Sequence, residues 1–428
     1  MQKVNTTYNK SEKWANELFL QFEIIRQNSS WSNIEIVNEL LKILSAKVFY
    51  DANVGKYSET DFYQLFEQIK TDNIGFFQAH KRINLQSNFL ENVLNTIHFF
   101  DEKFDFEITG NGFEFFIENV FKNNLGQFYT PLSLIKYMVE IIDPKDGETI
   151  YDPCCGTGGF LTYAKQLQAK ANIYGNDVSN FMVRVTKLNL KLHGFSDETI
   201  TQNESLKISE PIDNQLFDIV FANPPFGNIK EKNSLFDVSK STSRIEIYFL
   251  EKCLKSLKPG GRMAIILPTF NLGSEGLNDV RNYIESQAKL INITGLPREI
   301  FFKIGASGIS SSILFLKKFT IEESHAYENA KAGAVLKIKE QNILAAKKEI
   351  FIKTELRKLF DYQIFVSLLE ADKNSFDTDF DEKFKAISHQ FQLFETTTNA
   401  WGTQKNKINY ETTPKQKRQV AEPKGIYE

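Results

Sequence analysis

The chain reads as an α/β protein in which a doubly wound, mostly parallel sheet is preceded by a helical N-terminal domain and followed by a helical C-terminal extension. Three observations predict this. Short apolar runs alternate with amphipathic helical stretches from Thr149 to Leu316, the pattern of a sheet with helical crossovers. Prolines are absent before Pro131 and between Pro297 and Pro414, which leaves both flanks free to form long helices. Two of the short runs end in glycine- or proline-rich turns, as strands do where they meet a ligand in an open α/β sheet.

Taken in order, Trp14, Leu18, Phe19, Phe22 and Ile25 recur at helical spacing, as do Val37, Leu40, Leu41 and Leu44. Leu90, Val93, Leu94, Ile97, then Phe113, Phe116, Ile117 and Val120 continue the pattern, so residues 1–120 read as a helical domain. Gly126–Pro131 (GQFYTP) follows, with Thr130 suited to cap a helix and Pro131 to its first turn. The sheet domain spans 121–320. Its strands are expected at Thr149–Tyr151, Asn172–Asp177, Glu198–Thr201, Phe217–Ala222, Arg262–Leu267, Leu290–Thr294 and Ile309–Leu316. Residues 321–396 read as a helical region that docks a partner, although Val335–Ile338 also fits a short strand. Residues 397–428 read as a polar, basic tail that is expected to be flexible.

Composition narrows the function. The 428 residues are 42% hydrophobic and 25% charged, an ordinary globular balance. No run is long enough to cross a bilayer and the N-terminus does not read as a signal peptide, so a cytoplasmic protein is expected. Cys154, Cys155 and Cys253 offer neither a disulfide framework nor zinc-ligand spacing, and the five scattered histidines suggest no metal. A net charge of −3 is unlike a protein that grips DNA unaided.

Two turns carry the chemistry. After the strand Thr149–Tyr151 comes Asp152-Pro153-Cys154-Cys155-Gly156-Thr157-Gly158-Gly159, then a helix, then a second strand ending in Asp177. Glycines admit close approach of a ligand to a helix N-terminus, and an acid closing the next strand suits ribose hydroxyls. The other turn is Asn223-Pro224-Pro225-Phe226-Gly227, after the strand Phe217–Ala222. Its rigid backbone could present the Asn223 side-chain oxygen and the Pro224 carbonyl as two fixed acceptors for an exocyclic amine, activating that poor nucleophile for methylation. Phe226 would offer a face for base stacking, worth roughly 1–3 kcal/mol per base. An Asn-Pro-Pro sequence alone is an ordinary strand-ending turn, so the reading depends on its surroundings.

In the order GQFYTP, DPCCGTGGFL, NDVS, NPPFG and LKPGGRMAIILP, residues 105–318 resemble the modification subunits of type I restriction–modification systems. The resemblance implies a Rossmann-like methyltransferase sheet and transfer of a methyl group from S-adenosylmethionine to the N6 of an adenine flipped out of DNA. It assigns catalysis to Asn223, Pro224, Pro225 and Phe226. It assigns the cofactor to Gln127, Phe128, Tyr129, Thr130, Pro131, Asp152, Gly156, Thr157, Gly158, Gly159, Asp177 and Glu204, the last standing where relatives usually carry Asp. Phe360–Phe365 looks like a degraded form of another family motif. The implied partners are DNA and a separate specificity subunit, with or without a restriction subunit, and two modification subunits per complex. Two alternatives stay open: a glutamine methyltransferase acting on protein, and a non-catalytic assembly subunit that keeps the fold.

Overall fold

The computed structural model describes residues 2–49, 62–72, 82–98, 106–124, 130–197, 199–207, 216–229, 236–237, 242–269, 278–298, 300, 310–341, 343–344, 347–359, 364–369 and 380–398. Five helices precede the sheet: α1 (Gln2–Asn28), α2 (Asn33–Phe49), α3 (Phe62–Asp72), α4 (Ser87–Thr96) and α5 (Phe106–Asn124). Strands β1 (Thr149–Asp152), β2 (Asn172–Asp177), β3 (Ile200–Gln202), β4 (Phe217–Ala222) and β5 (Leu257–Pro268) run parallel. β6 (Ala288–Leu296), β7 (Ser311–Lys318) and β8 (Phe365–Leu368) complete the order β3-β2-β1-β4-β5-β7-β6-β8, with β7 antiparallel to both neighbours and β8 parallel to β6.

Helices α6 (Leu132–Ile142), α7 (Gly159–Leu167), α8 (Asn180–Leu192), α9 (Ile245–Ser256) and α10 (Asn278–Gln287) are interleaved with the strands. α11 (Ile321–Glu340), α12 (Lys348–Leu359) and α13 (Phe380–Thr398) follow β7. The chain winds from β1 towards β3 on one side, then returns to place β4 on the other side of β1. The crevice at this reversal, above the strand carboxyl ends, is where ligands enter such sheets.

Strand alternation sorts the core into two layers. Ile150, Ile219, Phe221, Ala264 and Phe315 face a cluster shared with α6, α7, α8 and α13 and with the N-terminal helices through Leu18, Phe22, Phe113 and Phe116. Tyr151, Val220, Ala222, Met263 and Leu314 face the opposite layer, built by Ile247, Leu250 and Leu254 of α9 and Val280 of α10. β4 is central and its Ile219, Val220 and Phe221 are fully buried, each contributing about 1.5–3 kcal/mol of apolar burial. Phe160 of α7 stacks on Phe221 at 5.3 Å, seating that helix two residues before Asn223.

Three sequence expectations need correcting. Val335–Ile338 lies inside α11, which starts at a capping box between Thr320 and Glu323; the helix leaves Val335 and Leu336 on its exposed face. The C-terminal region is not wholly helical, because Phe365–Leu368 adds β8 to the sheet edge. Thr130 is not the cap of α6: Pro131 holds that position with extended backbone and no side-chain cap bond. The Thr130 hydroxyl is engaged elsewhere, as described below. Among the described residues no helix is long and apolar enough to cross a membrane, and no cluster of His, Cys, Asp or Glu could hold a metal ion.

Candidate active site

A cavity of about 470 Å³ opens above β1, β2 and β4. Of the residues singled out in the sequence, Thr130, Asp152, Gly156, Thr157, Gly159, Asp177, Glu204, Asn223 and Pro225 line it. Pro131, Gly158, Pro224 and Phe226 are not part of this lining, and Gln127, Phe128 and Tyr129 lie outside the described residues.

The glycine-rich turn is held by its neighbours on three sides. Gly158 has φ +81° and caps α7, and a Cβ there would meet Thr186 Cγ2 at 2.6 Å, so both its conformation and its space demand glycine. The Gly156 N–H donates to Asp177 Oδ2 at 3.0 Å and the Gly156 carbonyl accepts from Thr186 Oγ1 at 2.7 Å. The Thr157 carbonyl accepts from Asn189 Nδ2 at 3.2 Å. A Cβ on Gly156 would meet nothing within 4 Å, so the turn's outer surface is open to a ligand.

Two carboxylates occupy strand ends. Asp177 accepts from the Ser179 N–H at 2.8 Å on Oδ1 and from Gly156 on Oδ2. Each oxygen keeps a second lone pair, enough to accept from a vicinal diol. Asp152 is 2% exposed and accepts from the Cys154 N–H at 3.0 Å. Burial, with the charge of Asp177 adding to it, pushes its carboxyl up to about 7 against the Cys154 hydrogen bond. Burial likewise raises Asp177. Glu204 reaches the rim, where it pairs with Lys207 at 2.7 Å, while Ser205 beside it donates to the Pro153 carbonyl.

On the β4 side, Pro224 is buried, Pro225 exposed, and Phe226 half-buried against the core layer that contains Phe221. Asn223 Nδ2 donates to Thr130 Oγ1 at 2.9 Å, a contact that spans 93 residues of sequence. One N–H of the amide is thereby engaged by the protein, and in this orientation the oxygen is the acceptor left to a ligand.

The profile of the family described as N-6 DNA Methylase matches residues 105–388. The chain belongs to the N-6 DNA methylase family. It is 32% identical over 217 residues to the methylase subunit of the type I restriction enzyme EcoEI of Escherichia coli, covering 46% of this chain and 43% of that protein. It thus matches less than half the length of that relative. Among solved structures, a chain from Listeria monocytogenes assigned to the class I S-adenosylmethionine-dependent methyltransferases superposes with a TM-score of 0.56 at 17% identity, covering 89% of this chain and 99% of that one. The type I restriction-modification methyltransferase subunit of Streptococcus thermophilus superposes with a TM-score of 0.52 at 20% identity, covering 74% and 79%. These likenesses establish a shared Rossmann-like methyltransferase fold.

In this N-6 DNA methylase family member the cavity has an apolar side that motif reading missed. Val178, Met182, Leu206, Ile245 and Phe249 line it with the polar groups. Val178 is 67% exposed directly after a strand-ending acid. The only mark this apolar side leaves in the sequence is an apolar residue directly after the acid that closes β2. Behind the glycine-rich turn, Asn189 joins Thr157 to Glu114 of α5, whose carboxyl burial raises to about 7.

Proposed function

We propose that this chain is the modification subunit of a type I restriction–modification system, methylating the N6 of adenine in DNA with S-adenosylmethionine. The observation that carries the reading is the Asn223 amide. Its nitrogen donates to Thr130 and its oxygen is left to accept from an exocyclic amine at the cavity, with the carbonyl of the next residue, Pro224, assigned as the second acceptor. Two fixed acceptors for the two N–H groups favour a pyramidal nitrogen, whose lone pair is then available for attack. Phe226, held against the core, would stack the flipped base.

The residues present fit the cofactor. Asp177 would accept the ribose hydroxyls, the open side of Gly156 and Thr157 would admit close approach, and Val178 with Leu206 would enclose the adenine ring. Bound there, S-adenosylmethionine supplies an electrophilic methyl group. Asp152 would face its cationic portion, and this sets a pH dependence. The buried carboxyl is neutral below its value of about 7. A cation favours the ionised form, so binding at low pH must first remove a proton. Affinity for S-adenosylmethionine is therefore expected to fall by up to about tenfold per pH unit below 7, and Asp152→Asn to flatten the profile. Calorimetry between pH 5.5 and 8.5 checks this; a flat wild-type profile would exclude the placement.

The expected partners are DNA and a specificity subunit that reads the sequence, since a net charge of −3 provides little counterion release. The complex would act in the cytoplasm with two modification subunits, with or without a restriction subunit. Residues 1–120 and 321–396 would dock these partners around the catalytic domain. The test is co-expression with the specificity subunit, tritiated methyl transfer to DNA, and methylation-sensitive sequencing. N6-methyladenine at one defined sequence is the expected result. Methyl groups on protein glutamine, or no transfer by the assembled complex, would overturn the reading.

A further inference from the structure

The geometry points to Glu246 as a positioning residue for the catalytic turn: its buried carboxylate, at the start of α9, holds the peptide that follows Phe226. The consequence for turnover rests on the functional reading above; the geometry does not. Pro224 and Pro225 fix the backbone on the way into Phe226, because each locks φ. On the way out stands Gly227, with φ +142° and open space where a Cβ would be. Glycine loses more backbone freedom on ordering than any other residue. Phe226 therefore lies between a rigid entrance and an exit that must be held from outside.

Both peptides of Gly227 are held by the start of α9. The Gly227 N–H donates to Glu246 Oε2 at 3.1 Å, and the Gly227 carbonyl accepts from the Ile245 N–H at 2.9 Å. A peptide N–H only donates and a peptide carbonyl only accepts, so the direction of both bonds is fixed. The first bond sets the plane of the peptide between Phe226 and Gly227, and with it the backbone of Phe226. The pairing continues: the Ile229 N–H donates to the Ser243 carbonyl at 2.8 Å, and Asn228 forms an antiparallel bridge with Arg244. α9 is itself seated in the core layer through Ile247, Leu250 and Leu254. An acid in a helix's first turn is commonplace at a surface, but Glu246 is fully buried, with Arg244 at 3.7 Å. Burying a carboxylate is costly unless polar partners compensate, and the N–H after Phe226 is such a partner. Ile245 and Phe249 line the cavity and Glu246 does not, so it acts through the turn.

The test pairs amide hydrogen exchange in the purified chain with kinetics in the complex assembled with the specificity subunit. Glu246→Leu fills the space and removes the acceptor, and Glu246→Gln keeps an acceptor oxygen. Glu246→Met, which adapts more readily to its surroundings, replaces the leucine variant if that one does not fold. In Glu246→Leu the amides of Ile229 and Ile245, whose own acceptors are untouched, should exchange at least about fivefold faster, with those of Ile219, Val220 and Phe221 unchanged. Single-turnover methyl transfer at saturating S-adenosylmethionine and DNA should fall about 10- to 100-fold, and Glu246→Gln should recover the larger part. On a Phe226→Ala background Glu246→Leu should add less than about twofold, because no ring remains to be positioned. Unchanged exchange at Ile229 and Ile245, a wild-type rate in Glu246→Leu, a Glu246→Gln variant equally slow, or a full-sized further loss on the Phe226→Ala background would each overturn the inference. An inactive wild-type complex would instead sink the functional reading, and the exchange measurement would still decide whether Glu246 holds the turn.

Discussion

Asn223→Ala is expected to lower adenine methylation by the assembled complex about a hundred- to a thousandfold while leaving cofactor affinity and folding close to wild type. The magnitude follows from the loss of one pre-positioned polar contact to a developing charge, which costs on the order of 2.7–4 kcal/mol in the barrier. The selectivity of the effect follows from where Asn223 sits. It stands at the carboxyl end of β4, in the crevice beside β1, whereas the carboxylates assigned to the cofactor end β1 and β2. The strand beneath it is held by Ile219, Val220 and Phe221, none of which the substitution touches. Removing the side chain also leaves Thr130 without its partner, but a half-buried hydroxyl at a cavity wall is readily rehydrated. Tritiated methyl transfer and calorimetry on the same preparation separate the two effects. A wild-type transfer rate would mean that this turn is not the catalytic one.

What could be read from the sequence shares one physical property: it depends on neighbours within a few residues. β4 was legible because Phe217–Ala222 is a dense buried run that two prolines terminate, and the turn before α7 was legible because glycines at Gly156 and Gly158 announce positive φ. Asp177 was legible because it closes a strand. The misread features depend on partners far away. Phe365–Leu368 is a strand only because Asn292–Gly295 of β6, some seventy residues earlier, offers it an edge, as their register shows. Val335–Ile338 has strand-favouring residues, but the capping box at Thr320 commits the segment to a helix before they are reached. Thr130 reads locally as a cap because its hydroxyl stands directly before a proline that suits a first helical turn, and no local pattern reveals a bond to Asn223. The apolar wall at Val178, Leu206 and Phe249 was missed for the same reason, being assembled from three separate segments.

The largest expected stability effect lies at another long-range contact, the guanidinium of Arg262. It is 6% exposed on β5, and each of its nitrogens has an acceptor. Nε donates to the Ile142 carbonyl at 3.1 Å and Nη2 to the Asp143 carbonyl at 3.1 Å, while Nη1 and Nη2 each reach an oxygen of Glu148 at 2.9 Å. These acceptors are the last carbonyls of α6 and the carboxylate just before β1, so one side chain joins the end of α6 to the two strands that flank β4 in the sheet. Asp143, with φ 55°, turns the chain out of the helix at this point. Arg262→Ala would leave the carboxylate and both carbonyls short of donors, and breaking such a buried pair costs about 3–5 kcal/mol. Glu148 is 19% exposed and regains some water, which places the expected loss towards the lower end of that range. Arg262→Lys should recover only part of it, because an ammonium cannot reproduce the planar fork that serves the carboxylate and both carbonyls at once. The control is Lys258→Ala: its pair with Asp218 at 2.8 Å leaves the lysine side chain 42% exposed, and its loss should cost within about 1 kcal/mol. Urea denaturation of the four proteins decides the matter. If Arg262→Ala unfolds at the same midpoint as Lys258→Ala, the guanidinium is not the clamp between α6 and the sheet.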